Sequence, residues 1–270
     1  MHDFDYHRPT TLAQALALRQ TAFDARWLAG GHSLIPALKQ RLSAVGTLID
    51  VRRLAALNGL QVEGEHLVVG AATPHAVVAA SPLVHQALPG LARLASLIAD
   101  AQVRNLGTLG GSIAHADPAA DYPSAVLACD ALIETSARTL PADDFFRGMF
   151  DTALQADELI LRVRFRRPLA SAYEKLRNPA SGYATVGVFV ARHPGGVRVG
   201  VTGAGPSAFR WTEAEQRLAS RFDATAVQGL ALPADGLNDD LHATATYRAA
   251  MAGVLLEDAV RQAGASGAAA

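Results

Sequence analysis

Two periods of apolar residues run through the chain and predict a mixed α+β fold. Near the N-terminus, Phe4 to Pro9 reads as an extended lead-in. Thr10 or Thr11 then caps the amphipathic run LAQALALRQ, with Leu12, Ala15 and Leu16 on one face. Trp27-Leu28-Ala29 is a short strand running into Gly30-Gly31. Pro36 suits the first turn of the helix that follows, and TLIDV (Thr47 to Val51) completes a βαβ unit. Leu60 to Thr73 alternates around Gly64 as a hairpin.

Ser81-Pro82 opens a helical stretch predicted to run to Ala101, with Leu88, Leu91, Leu94, Ala95 and Ile98 as its core stripe. Tyr122-Pro123 reads as a break, and SAVLACDALIETS as a helix or strand returning to the core. A turn at Pro141 and the segment ADDFFRGMFDT read as surface loop. LILRVRFR (Leu159 to Arg166) is a strand ended by Pro168, which places a boundary at Arg167 to Ser171. Beyond it the pattern predicts two strands joined at Pro194-Gly195-Gly196, then helices over Ala214 to Phe222 and Tyr247 to Ala263. Leu255, Ala259 and Ala263 align on the second helix, and the tail GASGAAA reads as frayed.

Composition narrows the function classes. With 270 residues, 50% hydrophobic and 18% charged, the chain can build two or three modules with buried cores. A formal charge of -1 with scattered Lys and Arg disfavours nucleic acid. No apolar run reaches the roughly 20 residues that span a bilayer. The N-terminus MHDFDYHRP lacks the basic-then-apolar pattern of an export signal, so a cytoplasmic location is expected. The single cysteine, Cys129, lies in an apolar run as a small buried hydrophobe.

The densest chemistry is RNLGTLGGSIAHADPAAD, Arg104 to Asp121. Gly107, Gly110 and Gly111 let peptide groups approach a ligand, and Thr108 and Ser112 add hydroxyls. Oriented N–H groups make a concavity for a diphosphate, and Asp121 can accept from a sugar or ribityl hydroxyl. Leu28 to Leu42, LAGGHSLIPALKQRL, repeats the glycine-serine pattern between a strand and a helix N-terminus, an arrangement suited to anions. Neither GxGxxG nor GxxxxGK[ST] occurs at Gly30 or Gly110, so no standard Rossmann or phosphate-loop site is indicated. Two rival readings stand beside the dinucleotide one. His115, Asp117 and Asp121 could serve a metal-dependent hydrolase, although no second His or Cys cluster accompanies them. The chain could also be a cofactor-free scaffold of the same fold.

AGGHSLIPALKQRL, RNLGTLGGSIAHADPAADYP and YEKLRNPASGYATVGV together resemble three signatures of the FAD-binding medium subunit of molybdenum hydroxylases, the family of carbon monoxide dehydrogenase and xanthine dehydrogenase. The resemblance covers essentially the whole chain. It implies a vanillyl-alcohol-oxidase-type (PCMH-type) FAD-binding domain of two α/β subdomains, residues 1–57 and 58–166, and a smaller C-terminal α+β domain, residues 167–270.

By the same resemblance, Ala29, Gly30, Gly31, His32, Ser33 and Leu34 cover one side of the FAD diphosphate. Thr108, Leu109, Gly110, Gly111 and Ser112 hold the other side. Asp121 faces the ribityl or ribose hydroxyls, Tyr183 lies beside the isoalloxazine ring, and Lys175 is in the same region. His32 is open to two roles, capping or packing on one hand and flavin contact on the other. Gly182 departs from the family's acidic residue before the tyrosine, and a single cysteine excludes the extra iron-sulfur insertion of some relatives.

The implied function is electron transfer from [2Fe-2S] clusters of a small subunit to FAD, and on to an external acceptor. A molybdopterin large subunit would hydroxylate and choose the substrate, and the implied assembly is a dimer of heterotrimers.

Overall fold

The computed structural model describes residues 1–267. Strand β1 (Asp5–His7) leads to helix α1 (Leu12–Thr21), β2 (Ala25–Leu28), α2 (Leu34–Lys39) and β3 (Thr47–Asp50). The strands form a parallel sheet in the order β1-β3-β2, with Leu28 opposite Asp50. The expected βαβ unit is therefore present, and the extended lead-in joins it as a third strand. Thr11 caps α1, its Oγ1 accepting from the Gln14 N–H at 3.2 Å.

Strands β4 (Leu60–Glu63) and β5 (His66–Gly70) form the expected hairpin, turning at Gly64 with φ +58°. A series of short helices follows: α3 (His75–Ala80), α4 (Pro82–Ala87), α5 (Pro89–Ser96), α6 (Ala101–Leu106), α7 (Leu109–His115) and α8 (Tyr122–Ala128). The single helix expected from Ser81 to Ala101 is thus corrected to α4 and α5 followed by a turn. Pro89 has no N–H to continue the ladder and drives Leu88 to φ −157°, ψ 72°. Ala99, at φ +40°, ends the stretch, and Asp100 recaps the chain by accepting from the Val103 N–H at 2.8 Å. The stripe survives these breaks, for Leu88, Leu91, Leu94 and Ala95 are all fully buried. Tyr122-Pro123, expected to break structure, instead opens α8, where a proline in the first turn has no bond to lose.

Strands β6 (Leu132–Thr135), β7 (Thr139–Pro141), β8 (Phe146–Gly148), β9 (Asp151–Thr152) and β10 (Ile160–Arg166) come next. An antiparallel sheet runs β4-β5-β10-β6-β7, with β8 and β9 as a separate hairpin. SAVLACDALIETS accordingly supplies both a helix and a strand. The expected surface loop after Pro141 is also corrected, because Phe145 is fully buried and packs edge-on to Phe146 with centroids 5.0 Å apart.

The third large sheet is antiparallel, β11 (Ala170–Arg177), β12 (Ala184–His193), β13 (Gly196–Thr202) and β14 (Phe209–Arg210), in that order. Helices α9 (Thr212–Ser220) and α10 (Ala245–Gly267) cover one face, where Val186, Val188, Val190, Val199 and Val201 meet Ala252, Leu256 and Ala259. On the other face, Tyr173, Phe189 and Ala191 enter the core built by α5, α8 and the five-stranded sheet. Tail residues to Gly267 extend α10, and the remainder of the expected frayed tail, residues 268–270, lies outside the described residues.

Phe145→Ala is expected to destabilise the protein by about 3 to 5 kcal/mol in chemical denaturation, the cost of emptying a large buried site. Phe150→Ala, at a ring 54% exposed in the same segment, is expected to stay within roughly 1 kcal/mol. Equal, small effects would restore the surface-loop description.

Candidate functional site

Both glycine loops end where one apolar segment meets a helix, and the fold turns those ends toward one another. Between them lies a cavity of about 750 Å³, walled by the β2–α2 loop, α6, α7, the segment from Thr152 to Ile160 and the loop carrying Tyr183. The loops touch backbone to backbone. A Cβ built on Gly30 would lie 2.6 Å from both Gly107 Cα and the Leu106 carbonyl oxygen. Gly110 is similarly confined, its ideal Cβ 2.5 Å from the Cβ of Ala71 and 2.8 Å from that residue's carbonyl. These glycines are required by packing between chain segments, not by a left-handed backbone. Among the glycines of the two loops only Gly31 has positive φ, at +76°.

The two loops differ in what they offer a ligand. In the second, four successive amides are already used: Leu109 N–H donates to Thr73 O at 3.2 Å, Gly110 to Ala71 O at 2.8 Å, Gly111 to Thr108 Oγ1 at 3.1 Å and Ser112 to Thr108 O at 3.0 Å. What remains is the single Thr108 amide, without an acceptor among the described residues, and the Thr108 and Ser112 hydroxyls. In the first loop, the N–H groups of Gly30, Gly31, His32 and Ser33 have no acceptor among the described residues. Consecutive amides free of intrachain partners, bent by the positive φ of Gly31, form an anion-binding nest. The sequence treats both loops as amide cradles, and the tertiary structure leaves that role to one.

Of the residues singled out in the sequence, Ala29, Gly30, Gly31, His32, Ser33, Leu34, Thr108, Gly110, Gly111, Ser112, Asp121 and Tyr183 line the cavity. Leu109 does not: it is fully buried in the main core. Lys175 is not in the wall either. Its side chain is 1% exposed, and Nζ donates to Asp121 Oδ1 at 2.8 Å and to Leu97 O at 3.1 Å. The Tyr173 hydroxyl donates to the same Oδ1 at 2.6 Å. Burial raises the Asp121 carboxyl above its ordinary value, and the Lys175 charge and the two hydrogen bonds oppose that shift.

Tyr183 is held by a tight loop in which Asn178 Oδ1 accepts from the Ala180 and Ser181 amides and Gly182 adopts φ +75°. A side chain at Gly182 would meet the Arg177 guanidinium at 3.0 Å and Ala99 Cα at 3.2 Å, so the departure from an acidic residue here suits a crowded left-handed turn. Burial raises the Tyr183 phenol above its ordinary value, the charges of Asp117 and Asp121 add to this, and the Ser33 hydroxyl opposes it.

His115, Asp117 and Asp121 do not converge into a ligand set. Asp117 Oδ1 accepts from the Ala119 N–H at 2.9 Å, Asp121 Oδ1 is occupied as described, and His115 packs on the Phe150 ring at 5.0 Å. Among the described residues no group of three metal-ligating side chains is close enough to hold an ion.

Several polar wall residues escaped the sequence reading, and the most deeply placed at the loop junction is His75. His75, in ATPHAVV, opens α3 and lies against Gly107. A lone histidine after Thr-Pro carries no motif, and only its place beneath the second loop marks it. Burial, with the nearby charges of His32 and Arg104, pushes its imidazole down to about 3.

Open amides where two glycine loops meet, beside a cavity of this volume, are an arrangement that suits a dinucleotide. The chain belongs to the family of FAD-binding domains of molybdopterin dehydrogenases, whose family model matches residues 2–168. It is 39% identical to the carbon monoxide dehydrogenase medium chain of Hydrogenophaga pseudoflava over 96% of each chain. It is 32% identical to the nicotine 6-hydroxylase medium subunit of Paenarthrobacter nicotinovorans, over 96% of this chain and 97% of that one. A solved structure of reconstituted CO dehydrogenase from Oligotropha carboxidovorans superposes with TM-score 0.88 at 34% identity, covering 98% of both chains. The chain is thus a component of a molybdenum-hydroxylase-type oxidoreductase, and FAD is its cofactor. No helix among the described residues is long and apolar enough to cross a membrane.

The lowered His75 pKa gives stability a pH dependence of definite sign. The unfolded imidazole binds a proton near pH 6.5 and the folded one near 3, so acidification favours the unfolded chain and stability falls as pH drops below 6.5. At about 1.4 kcal/mol per pKa unit, roughly 2 to 3 kcal/mol is expected to disappear between pH 6.5 and 4.5. Denaturant midpoints across that range should show His75→Gln losing less stability than the parent; identical slopes would refute the assignment.

Proposed function

We propose that this chain is the electron-transferring medium subunit of a molybdopterin-dependent hydroxylase or dehydrogenase. It would receive electrons from [2Fe-2S] clusters of a small subunit and deliver them to an external acceptor. FAD, when bound, supplies the exchange between one-electron and two-electron carriers, and the protein supplies placement and tuning. The observation that carries this reading is the set of acceptor-free amides at Gly30 to Ser33, facing a cavity large enough for a dinucleotide.

In this assignment the Gly30, Gly31, His32 and Ser33 amides hold diphosphate oxygens, and the Thr108 and Ser112 hydroxyls donate from the opposite side. Ala29 and Leu34 shape the first loop, while Leu109 acts through the core and not by contact. Asp121, fixed by Lys175 and Tyr173, turns its carboxyl toward the ribityl or ribose hydroxyls. Lys175 is a positioning residue, and the Tyr183 ring packs beside the isoalloxazine. The flavin module comprises residues 1–57 and 58–166, and residues 167–270 form the C-terminal module that contributes Tyr183. The complex is a cytoplasmic dimer of heterotrimers in which the molybdopterin subunit selects the substrate.

Purified with its partners, the complex is expected to hold one non-covalent FAD per copy of this chain, released as a yellow supernatant on acid precipitation. A colourless native complex would refute the cofactor assignment, and native mass spectrometry finding only free monomer would refute the assembly.

A side chain at Gly111 would point between Thr108 Oγ1, 2.9 Å away, and the Ala29 Cβ, 3.6 Å away, at the junction of the loops. Gly111→Asp is expected to lower FAD affinity by about 100-fold or more, through bulk and repulsion of the phosphates. The Gly111 backbone is helical, so an alanine there carries no left-handed penalty. Gly111→Ala should lose less than about tenfold. The readout is FAD per polypeptide beside far-ultraviolet circular dichroism. Full FAD in Gly111→Asp with a native spectrum would move the diphosphate elsewhere.

A further inference from the structure

The cofactor cavity contains a polar group that none of the glycine signatures includes. His75 is 5% exposed at the first position of α3, and its backbone is fixed to the second loop: its N–H donates to Gly107 O at 2.9 Å, and Pro74 bridges Thr108. The imidazole lies directly against Gly107, where a Cβ would come within 2.6 Å of Nε2. Gly107 in turn meets Gly30, so His75 stands at the point where the two loops join.

The two ring nitrogens face different surroundings. Nδ1 is sealed from solvent without a hydrogen-bond partner among the described residues. The Tyr122 hydroxyl, in a fully buried side chain, is likewise without one, and the two rings lie 5.3 Å apart. Nε2 has no hydrogen-bond partner among the described residues and is not sealed from solvent, so it is the nitrogen left to the cavity that His75 lines. Leaving a buried N–H unpaired is rarer than leaving a lone pair unpaired. That preference puts the imidazole proton on Nε2 and the lone pair on Nδ1. Low basicity keeps the ring in this neutral, single-donor form.

We propose that His75 is a further cofactor-positioning residue, its Nε2–H donating to an oxygen of the bound FAD where the two loops meet. This rests on the FAD assignment made above. It gives an acceptor to a ring N–H that has none in the protein, in a residue buried at the meeting of the loops. A neutral donor also adds no charge beside the amide nest.

The test uses the whole complex, deflavinated and retitrated with FAD, with the unfolding midpoint of each deflavinated variant as the control for folding. His75→Phe keeps a flat ring and removes the donor, and His75→Gln keeps an N–H donor. His75→Phe is expected to weaken FAD binding about 10-fold or more, and His75→Gln to recover most of that loss. Parent-like affinity in His75→Phe, or equal losses in His75→Phe and His75→Gln, would overturn the donor role. Failure of the parent complex itself to bind FAD would instead refute the underlying cofactor assignment, so the two failures are distinguishable.

Discussion

The contact of Gly30 with Gly107 governs the geometry of the site. Two chain segments 77 positions apart approach so closely that Gly30 has no room for a side chain against Gly107, and Gly107 has none against His75. This brings the open amides of the first loop opposite the hydroxyls of the second. The approach is enforced from behind, because the second loop hangs from the strand-to-helix segment at Ala71 to His75 through the bonds from Leu109, Gly110 and His75. Spending those amides on structure makes the second loop a rigid wall, and leaves the first as the donor side. Preorganised donors of this kind need little ordering when a ligand arrives.

A second constraint links that site to the C-terminal sheet. Asp121, just after α7, is bound by Tyr173 and Lys175 of β11. The preceding residues are stitched to β12 and β13: Thr202 Oγ1 donates to Ala120 O at 2.6 Å, Gly203 N–H to Pro118 O at 2.8 Å, and Ala184 N–H to Ala119 O at 3.2 Å. Ala184 follows Tyr183, so the tyrosine's position over the cavity is set by the same stitching. Buried ion pairs such as Lys175–Asp121 recover their desolvation cost only when geometry and extra hydrogen bonds are favourable. Here the tyrosine hydroxyl and the Leu97 carbonyl supply those bonds. The solvent-facing Arg198, Arg210, Asp130 and Asp143 cluster also spans the sheets, but its partial exposure makes each contact worth little.

Local signals in the sequence were strong wherever one residue type answers one backbone demand. Alternation indicated β10 and the Pro194-Gly195-Gly196 hairpin, Thr10 or Thr11 marked the start of α1, and the paired glycine-serine segments pointed to an anion site. The family signatures added FAD and Tyr183 to that list. Periodicity failed over residues 81 to 101, because a buried stripe can continue across Pro89 and Ala99 while the helix does not. It failed again at Phe145, since a short acidic segment gives no sign that one ring turns inward.

By itself the sequence determined the α+β class, the two glycine loops and the residues with room for a ligand, since these depend on side-chain size and on neighbours within a few positions. Which amides remain open, where Lys175 spends its charge and why His75 matters were decided only by tertiary structure. A hydrogen-bonding group is free or occupied according to what the fold places within about 3 Å of it. For Gly111 that partner is three residues away, but for Gly110, Asp121 and His75 it comes from segments far along the chain.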